Sequence, residues 1–244
     1  MTEYEALLAA ILATPDDDLP RLVFADWLEE NGDPDRAEFI RVHIARWRTK
    51  EENRYPRPMK ARIAQLLAEH ESIWRSELPY LPGVTWGRYW RGFISEAKFS
   101  SPEAFVKHAA AAFSATPIQM VQLSGLGLEM GEAVCRLPQL TGLYGLRLDD
   151  VSSEPNLWRM LTESVWFDQL YHLIVHPCRP MGGWTVSSPQ QQEVVPMVFE
   201  AVARPQSRLK KVHLDMDGFD EVQYVHKGSN KTIITGGRDR EFFD

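Results

Sequence analysis

A six-residue pattern, apolar-x-x-apolar-x-apolar, occurs five times in this chain of 244 residues. The copies begin at intervals of 24, 25, 27 and 39 residues, and they span 94–99, 118–123, 143–148, 170–175 and 209–214. Alternating apolar positions are typical of a strand that buries one of its faces. A pattern that returns at nearly even spacing predicts one such strand in each of five repeated structural units.

The segments between the copies predict the chain's return to the next strand. Apolar residues at helical spacing predict helices at 102–113, 155–166 and 189–203, and a single turn at 131–137. A strand plus a return segment of about 20–29 residues is the signature of leucine-rich repeats. We therefore expect an α/β protein: an N-terminal helical cap followed by a short, degenerate leucine-rich-repeat-like solenoid with parallel strands. The array is degenerate because only Cys178 stands where such repeats usually carry Asn or Cys.

Three domains are predicted: a helical domain at 1–80, the solenoid at 81–220, and a C-terminal hairpin cap and tail at 221–244. Four N-terminal stretches show the helical period, at 3–13, 20–31, 34–47 and 63–74. Basic residues and two prolines between 45 and 62 predict a linker or an exposed turn before the fourth helix. Two β-rich runs on either side of Gly228 predict the terminal hairpin.

Composition narrows the classes of function and the compartment. The formal net charge is −7, which argues against a dedicated nucleic-acid binder. No apolar run approaches the ~20 residues of a membrane helix, and the N-terminus lacks the basic region of a signal peptide. Two isolated cysteines, Cys135 and Cys178, do not make a disulfide framework, so a reducing cytoplasm is expected.

Residues 5–41 read EALLAAILATPDDDLPRLVFADWLEENGDPDRAEFIR. This segment resembles the bacterial repeat-companion domain, a family named for its position beside repeat regions that are often of leucine-rich type. The matching residues, in order, are Pro15, Asp17, Asp18, Arg21, Leu22, Ala25, Asp26, Trp27, Leu28, Glu29, Gly32, Asp33, Glu38, Phe39 and Arg41. In this chain Asp35-Arg36-Ala37 lengthens the segment before Glu38. The resemblance implies a helical companion that caps a repeat array in a bacterial cytoplasmic protein, and it implies no catalytic residues.

The helical domain contains an acidic cluster and several tryptophans. We interpret the carboxylates between residues 16 and 33 as helix caps and a solvated face. Asp26 is expected to be partly buried in a structural ion pair with Arg21 or Arg41. The tryptophans on apolar helix faces are expected to be buried: Trp27, Trp47 and Trp74.

Alternation along the predicted strands places every second residue on an exposed, concave face. Three columns are expected there: Glu96, Met120, Gly145, His172 and Lys211; Lys98, Gln122, Arg147, Ile174 and His213; and Ser100, Ser124, Asp149, His176 and Asp215. The interval at 177–189 reads as an inserted loop with Trp184 near its tip, and insertions in repeat arrays often flank the binding side. The candidate partner-binding residues are Arg147, His172, His176, Trp184, Lys211 and His213.

The polar face favours a non-enzymatic protein-binding role, as an adaptor or a subunit of a multi-protein complex, with no cofactor. The alternative is a nucleic-acid-associated accessory protein that uses basic and aromatic residues at 46–62 and 86–91. A metal-dependent enzyme at His172, His176 and His213 is a third reading, but no metal-ligand spacing accompanies these residues. No complete phosphate-binding loop and no Gly-x-Ser-x-Gly motif occurs in the sequence.

Overall fold

The structure is a computed structural model that describes residues 2–51, 57–177, 189–214, 222–227 and 230–235. The chain forms two compact units. The first consists of Met1–Leu81, Thr85–Ala97 and Ala110–Ile118, and the second of Pro82–Val84, Lys98–Ala109 and Gln119–Asp244. The first unit therefore contains the predicted helical domain and, in addition, two segments of the predicted solenoid.

Four helices open the first unit: Glu3–Ala13 (α1), Leu19–Glu30 (α2), Pro34–Glu51 (α3) and Arg57–Ser76 (α4). Helix α1 begins with a reciprocal capping box between Thr2 and Glu5, and Gly32 follows α2 with φ at 91°. The predicted linker at 45–62 is wrong for most of its length, because α3 continues to Glu51 and α4 starts at Arg57. Arg and Lys are good helix formers, so basic residues alone do not end a helix.

The first unit has an apolar core, and the charged side chain of Arg21 is fully buried beside it. The core side chains are Ile11, Phe24, Ala25, Leu28, Ala37, Ile40, Ile44 and Phe93. Arg21 is 0% exposed, and its Nη2 donates a hydrogen bond of 2.8 Å to the carbonyl of Pro15. Burial, assisted by the nearby Arg91, lowers the pKa of Arg21 to about 10, so this guanidinium is still charged at neutral pH.

The predicted ion pair of Asp26 forms with Arg41, whose Nη2 lies 2.6 Å from Asp26 and 2.7 Å from Glu29. The Asp26 side chain is 68% exposed, so the expectation of partial burial was wrong. The tryptophans that were expected to be buried differ in exposure: Trp74 is 4% exposed, whereas Trp27 is only half-buried.

Four short strands follow: Val84–Trp86 (β1), Tyr89–Trp90 (β2), Phe93–Ile94 (β3) and Glu96–Phe99 (β4). Strands β2 and β3 pair in an antiparallel hairpin whose two-residue loop is Arg91-Gly92. Both loop residues have positive φ, 48° and 85°, as a tight primed turn requires. A Cβ at position 92 would lie 2.6 Å from the Cα of Ile40, so the close approach of α3 also requires glycine.

A parallel sheet forms the centre of the second unit. Its strands Met120–Ser124 (β5), Gly145–Val151 (β6), His172–Pro177 (β7) and Lys211–Leu214 (β8) pair parallel, neighbour to neighbour, in chain order. The full strand order of the sheet is β1-β4-β5-β6-β7-β8-β9-β10. Strands Val222–Lys227 (β9) and Asn230–Thr235 (β10) form the predicted hairpin, and β9 pairs antiparallel with β8.

The helices that alternate with these strands are Pro102–Ala115 (α5), Leu128–Cys135 (α6), Pro155–Glu163 (α7) and Pro189–Ala203 (α8). Helix α6 has eight residues where a single turn was predicted. The inner strand positions are each at most 3% exposed: Val121, Leu123, Leu146, Leu148, Leu173, Val175, Val212 and Leu214. The described chain is thus a mixed α/β structure with eight α-helices and a mostly parallel sheet. None of those helices is both long enough and apolar enough to span a membrane.

Candidate functional site on the polar face of the sheet

The outward-pointing residues of β5 to β8 form a surface that we call the polar face. It consists of Met120, Gln122, Ser124, Gly145, Arg147, Asp149, His172, Ile174, His176, Lys211 and His213. Strand register aligns them as predicted, with Met120, Gly145, His172 and Lys211 in one row, and Gln122, Arg147, Ile174 and His213 in the next. Ser124, Asp149 and His176 form the third row.

The first row is closed over for most of its length. Met120 is 2% exposed and His172 is 8% exposed, whereas Lys211 is exposed. A Cβ on Gly145 would lie 2.5 Å from the Sδ of Met120 and 3.3 Å from the Cβ of His172. The two larger side chains therefore fill the space above the glycine. The expectation that His172 is exposed was wrong for this reason.

Burial also removes the charge of His172. Its pKa is lowered to about 3, chiefly by burial and further by Lys211 and His213. The imidazole is therefore neutral at physiological pH. In this row, Lys211 is therefore the cation that a binding partner would contact.

The second row also contains residues that were predicted to be exposed but are buried. His213 is 7% exposed and Ile174 is 4% exposed. Strand β9 pairs beyond β8, with Gln223 opposite His213, so β8 lies inside the sheet and is not an edge strand. The His213 ring also lies 6.0 Å from the ring of His176. The expectation that His213 is exposed was wrong because these neighbours surround it.

Three polar side chains from three adjacent strands converge on the carboxylate of Asp149, and we call these four residues the Asp149 network. Nε of Arg147 lies 2.9 Å from Oδ1 of Asp149, and Nδ1 of His176 lies 3.3 Å from the same oxygen. The side-chain amide of Gln122 donates to the other carboxylate oxygen. The side chains of Arg147, Asp149 and His176 are 29%, 15% and 21% exposed. Two predicted residues, Arg147 and His176, are thus brought together at a partly accessible site.

The geometry of the network suits recognition better than chemistry. The carboxylate of Asp149 already accepts from its neighbours, so it is not a free base. Nε2 of His176 is buried without a hydrogen-bond partner. Within the described ranges no three His, Cys, Asp or Glu side chains are grouped so that they could hold a metal ion. The network can instead hold the guanidinium of Arg147 in a fixed position at the surface.

Sequence reasoning missed an aromatic row at the start of the strands. The rings of Tyr144 and Tyr171 stack with centroids 4.7 Å apart, and Nζ of Lys210 lies 5.2 Å from the centroid of Tyr171. We call this set the tyrosine row. The signal was present in the sequence, because these residues occupy the second position of three successive copies of the apolar pattern.

Some predicted features lie outside the described residues. These are Trp184, Cys178, most of the 177–189 loop, and Asp215 in the third column. Comparison with known proteins adds no relative: no protein-family model, no curated protein and no solved structure matches this chain.

Proposed function

We propose that this protein is a non-enzymatic binding protein or adaptor subunit that engages another protein through the polar face of its second unit. In this proposal the second unit is a short, degenerate leucine-rich-repeat-like solenoid, and the first is its helical companion. The observation that carries the proposal is the Asp149 network, which presents a fixed, partly accessible arginine across three parallel strands.

Repetition of backbone geometry supports the solenoid. The N–H groups of Tyr144 and Gly145 both donate to the carbonyl of Gln119. The equivalent pair at 171 and 172 donates to the carbonyl of Tyr144, and the pair at 210 and 211 donates to the carbonyl of Tyr171. Each strand-and-helix repeat therefore joins the preceding repeat by the same backbone hydrogen bonds, as stacked repeats do. The resemblance of residues 5–41 to repeat-companion domains fits the same architecture.

The accessible part of the polar face carries the cations Arg147 and Lys211 beside partly exposed polar side chains that include Asp149 and His176. The tyrosine row lies at the start of the same strands. Arg and Tyr, together with Trp, are the residue types most enriched at interface hot spots. An arginine held in place by a carboxylate loses little side-chain freedom on binding, which favours affinity. An acidic or carbonyl-rich partner surface is the complement we expect.

Nucleic-acid binding through the basic and aromatic segments is the less favoured alternative. Four arginines there are ion-paired: Arg48 and Arg91 with Asp18, Arg62 with Glu38, and Arg88 with Glu96. The Arg91 guanidinium also lies 4.8 Å from the ring centroid of Trp90, which is 5% exposed. The carboxylates paired with these arginines, and the burial of Arg91 and Trp90, disfavour contacts with phosphates and bases.

Two charge reversals on opposite sides of the second unit test the proposal. Lys211→Glu changes an exposed cation on the polar face, and Arg159→Glu changes an exposed cation on α7 as the matched control. The wild type and both variants would be used to capture partners, which are then identified by mass spectrometry, and the affinity for each captured protein would be measured.

We expect Lys211→Glu to weaken partner binding by about tenfold or more, since roughly 1.4 kcal/mol corresponds to a factor of ten. Arg159→Glu should bind like the wild type. Equal binding by both variants, with both folded, would remove the polar face as the interface. Retention on nucleic acid that falls steeply with salt would instead support the alternative.

A further inference from the structure

The first unit contains a pocket with unused hydrogen-bond donors. Its volume is approximately 200 Å³. An engineered cavity of about 150 Å³ is large enough for benzene, whereas sites for drug-sized ligands start at about 300 Å³. The lining consists of Tyr4, Leu8, Arg36, Trp74, Glu77, Leu78, Tyr89, Phe93, Ile94, Ala115 and Thr116. The pocket is therefore suited to a small molecule with a largely apolar body.

Arg36 is held among aromatic rings, and part of its hydrogen-bonding capacity is not used. Its guanidinium carbon lies 4.7 Å from the ring centroid of Trp74, with the rings of Tyr89 and Phe93 at 6.0 and 5.9 Å. Its Nη1 is buried and has no hydrogen-bond partner. Leaving a buried donor unpaired is costly, and a guanidinium fork matches a carboxylate in particular.

Tyr89 supplies a second unused donor beside the first. Its hydroxyl is buried and donates to no acceptor within the protein, while Arg36 lies close enough to donate to the hydroxyl oxygen. Burial raises the pKa of Tyr89, and the charge and hydrogen bond of Arg36 oppose the rise. The hydroxyl is therefore protonated at neutral pH and able to donate. Thr116 is different, because its hydroxyl already donates to the carbonyl of Ile94 at 2.5 Å.

Glu77 adds a charge of the opposite sign to the same pocket. Glu77 and Arg36 both line the pocket. Desolvation raises the pKa of Glu77, and the charge of Arg36 opposes the rise. A dianion such as phosphate would be repelled by this carboxylate, whereas an ammonium group would be attracted. The pocket thus offers a cation with a hydroxyl donor, an anion, and apolar walls from Leu8, Phe93 and Ala115.

We propose that this pocket binds a small apolar α-amino acid. The carboxylate of the ligand pairs with Arg36 and accepts from the Tyr89 hydroxyl, the ammonium faces Glu77, and the side chain lies against the apolar walls. This site is separate from the polar face, and it does not depend on the protein-binding proposal.

Calorimetric titration of the full chain with L-phenylalanine and L-leucine tests the site directly. Two related compounds separate the contribution of the ligand's ammonium group from that of its carboxylate: 3-phenylpropionate lacks the amine, and 2-phenylethylamine lacks the carboxylate. We expect saturable binding of at least one amino acid, at least tenfold weaker binding of the matching acid, and no binding of the amine. Absence of binding by both amino acids, or equal binding of 3-phenylpropionate, would overturn the assignment.

Removal of the Tyr89 hydroxyl tests one contact of the proposed ligand. Tyr89→Phe removes a hydroxyl that donates to no acceptor within the protein and an oxygen to which Arg36 can donate, so the thermal stability of the chain should change little. Its affinity for the amino acid should fall about tenfold, as expected for one hydrogen bond to a charged group. Tyr80→Phe is the matched control, because Tyr80 is 91% exposed and does not line the pocket. Equal affinities of the two variants would show that Tyr89 does not contact the ligand.

Discussion

Stability of the first unit should depend on pH through His43. This side chain of α3 is 7% exposed, and its ring lies 4.4 Å from the ring of Phe39. Its Nε2 has no hydrogen-bond partner. Burial, assisted by the charges of Arg46 and Arg36, lowers the pKa of His43 to about 3. The native state therefore keeps this imidazole neutral across the physiological range.

The unfolded chain protonates His43 near its ordinary pKa of about 6.5, well before the native state does. Between pH 6.5 and pH 3 the unfolded state thus binds more protons, and the free energy of unfolding falls as pH falls. The contribution is complete above pH 6.5 and is lost at about 1.4 kcal/mol per pH unit below it. At pH 5 this one residue should have cost the protein roughly 2 kcal/mol.

His43→Met removes the proton site with a flexible apolar side chain of similar length. We expect urea unfolding, followed by circular dichroism from pH 7.5 to pH 5, to give a flatter pH dependence in this variant than in the wild type. Ile44→Val, at a neighbouring position that is 2% exposed, is the control for a change of packing alone. That control should lower stability by a similar amount at every pH. If the curves for His43→Met and the wild type were parallel below pH 6.5, His43 would not be a buried neutral imidazole.

Two further predictions concern packing within each unit. Leu148→Ala, at a strand position that is 1% exposed, should lower the free energy of unfolding by about 3 kcal/mol. Val165→Ala, at a side chain that is 78% exposed, should change it by less than about 0.5 kcal/mol, and urea unfolding at pH 7.5 measures both variants. Gly92→Ala and Gly142→Ala both place alanine at positive φ, 85° and 88°, but only the first meets neighbouring backbone. Gly142→Ala should cost about 1 kcal/mol and Gly92→Ala at least about 1 kcal/mol more, and similar unfolding midpoints would contradict the close approach to α3.

Periodicity in the sequence was sufficient to predict the elements and much of the sheet. Alternation within each apolar pattern determines which side chains enter the core, because successive residues of a strand point to opposite faces. Even spacing of the patterns predicted the parallel order, and Leu146 opposite Leu173 confirms the register. The predicted strand at 94–99 begins only at Glu96, since the Arg91-Gly92 turn takes the preceding residues into a separate hairpin.

Exposure of the outward residues was decided by the tertiary structure alone. His172 is buried because Gly145, on the neighbouring strand, leaves space that Met120 and His172 fill. His213 is buried where β9 adds a further strand beyond β8. Alternation states which way a side chain points, but not what lies above it.

The two candidate sites also depend on contacts that only the tertiary structure creates. The sequence predicted that Arg147 and His176 share a face, but only strand register brings both to the carboxylate of Asp149. The pocket lined by Arg36 and Tyr89 had no sequence signal, because these residues are 53 positions apart and meet only where α3 packs near the hairpin. Local propensities act over a few residues, whereas burial, unpaired donors and shifted pKa values arise from groups that only folding brings together.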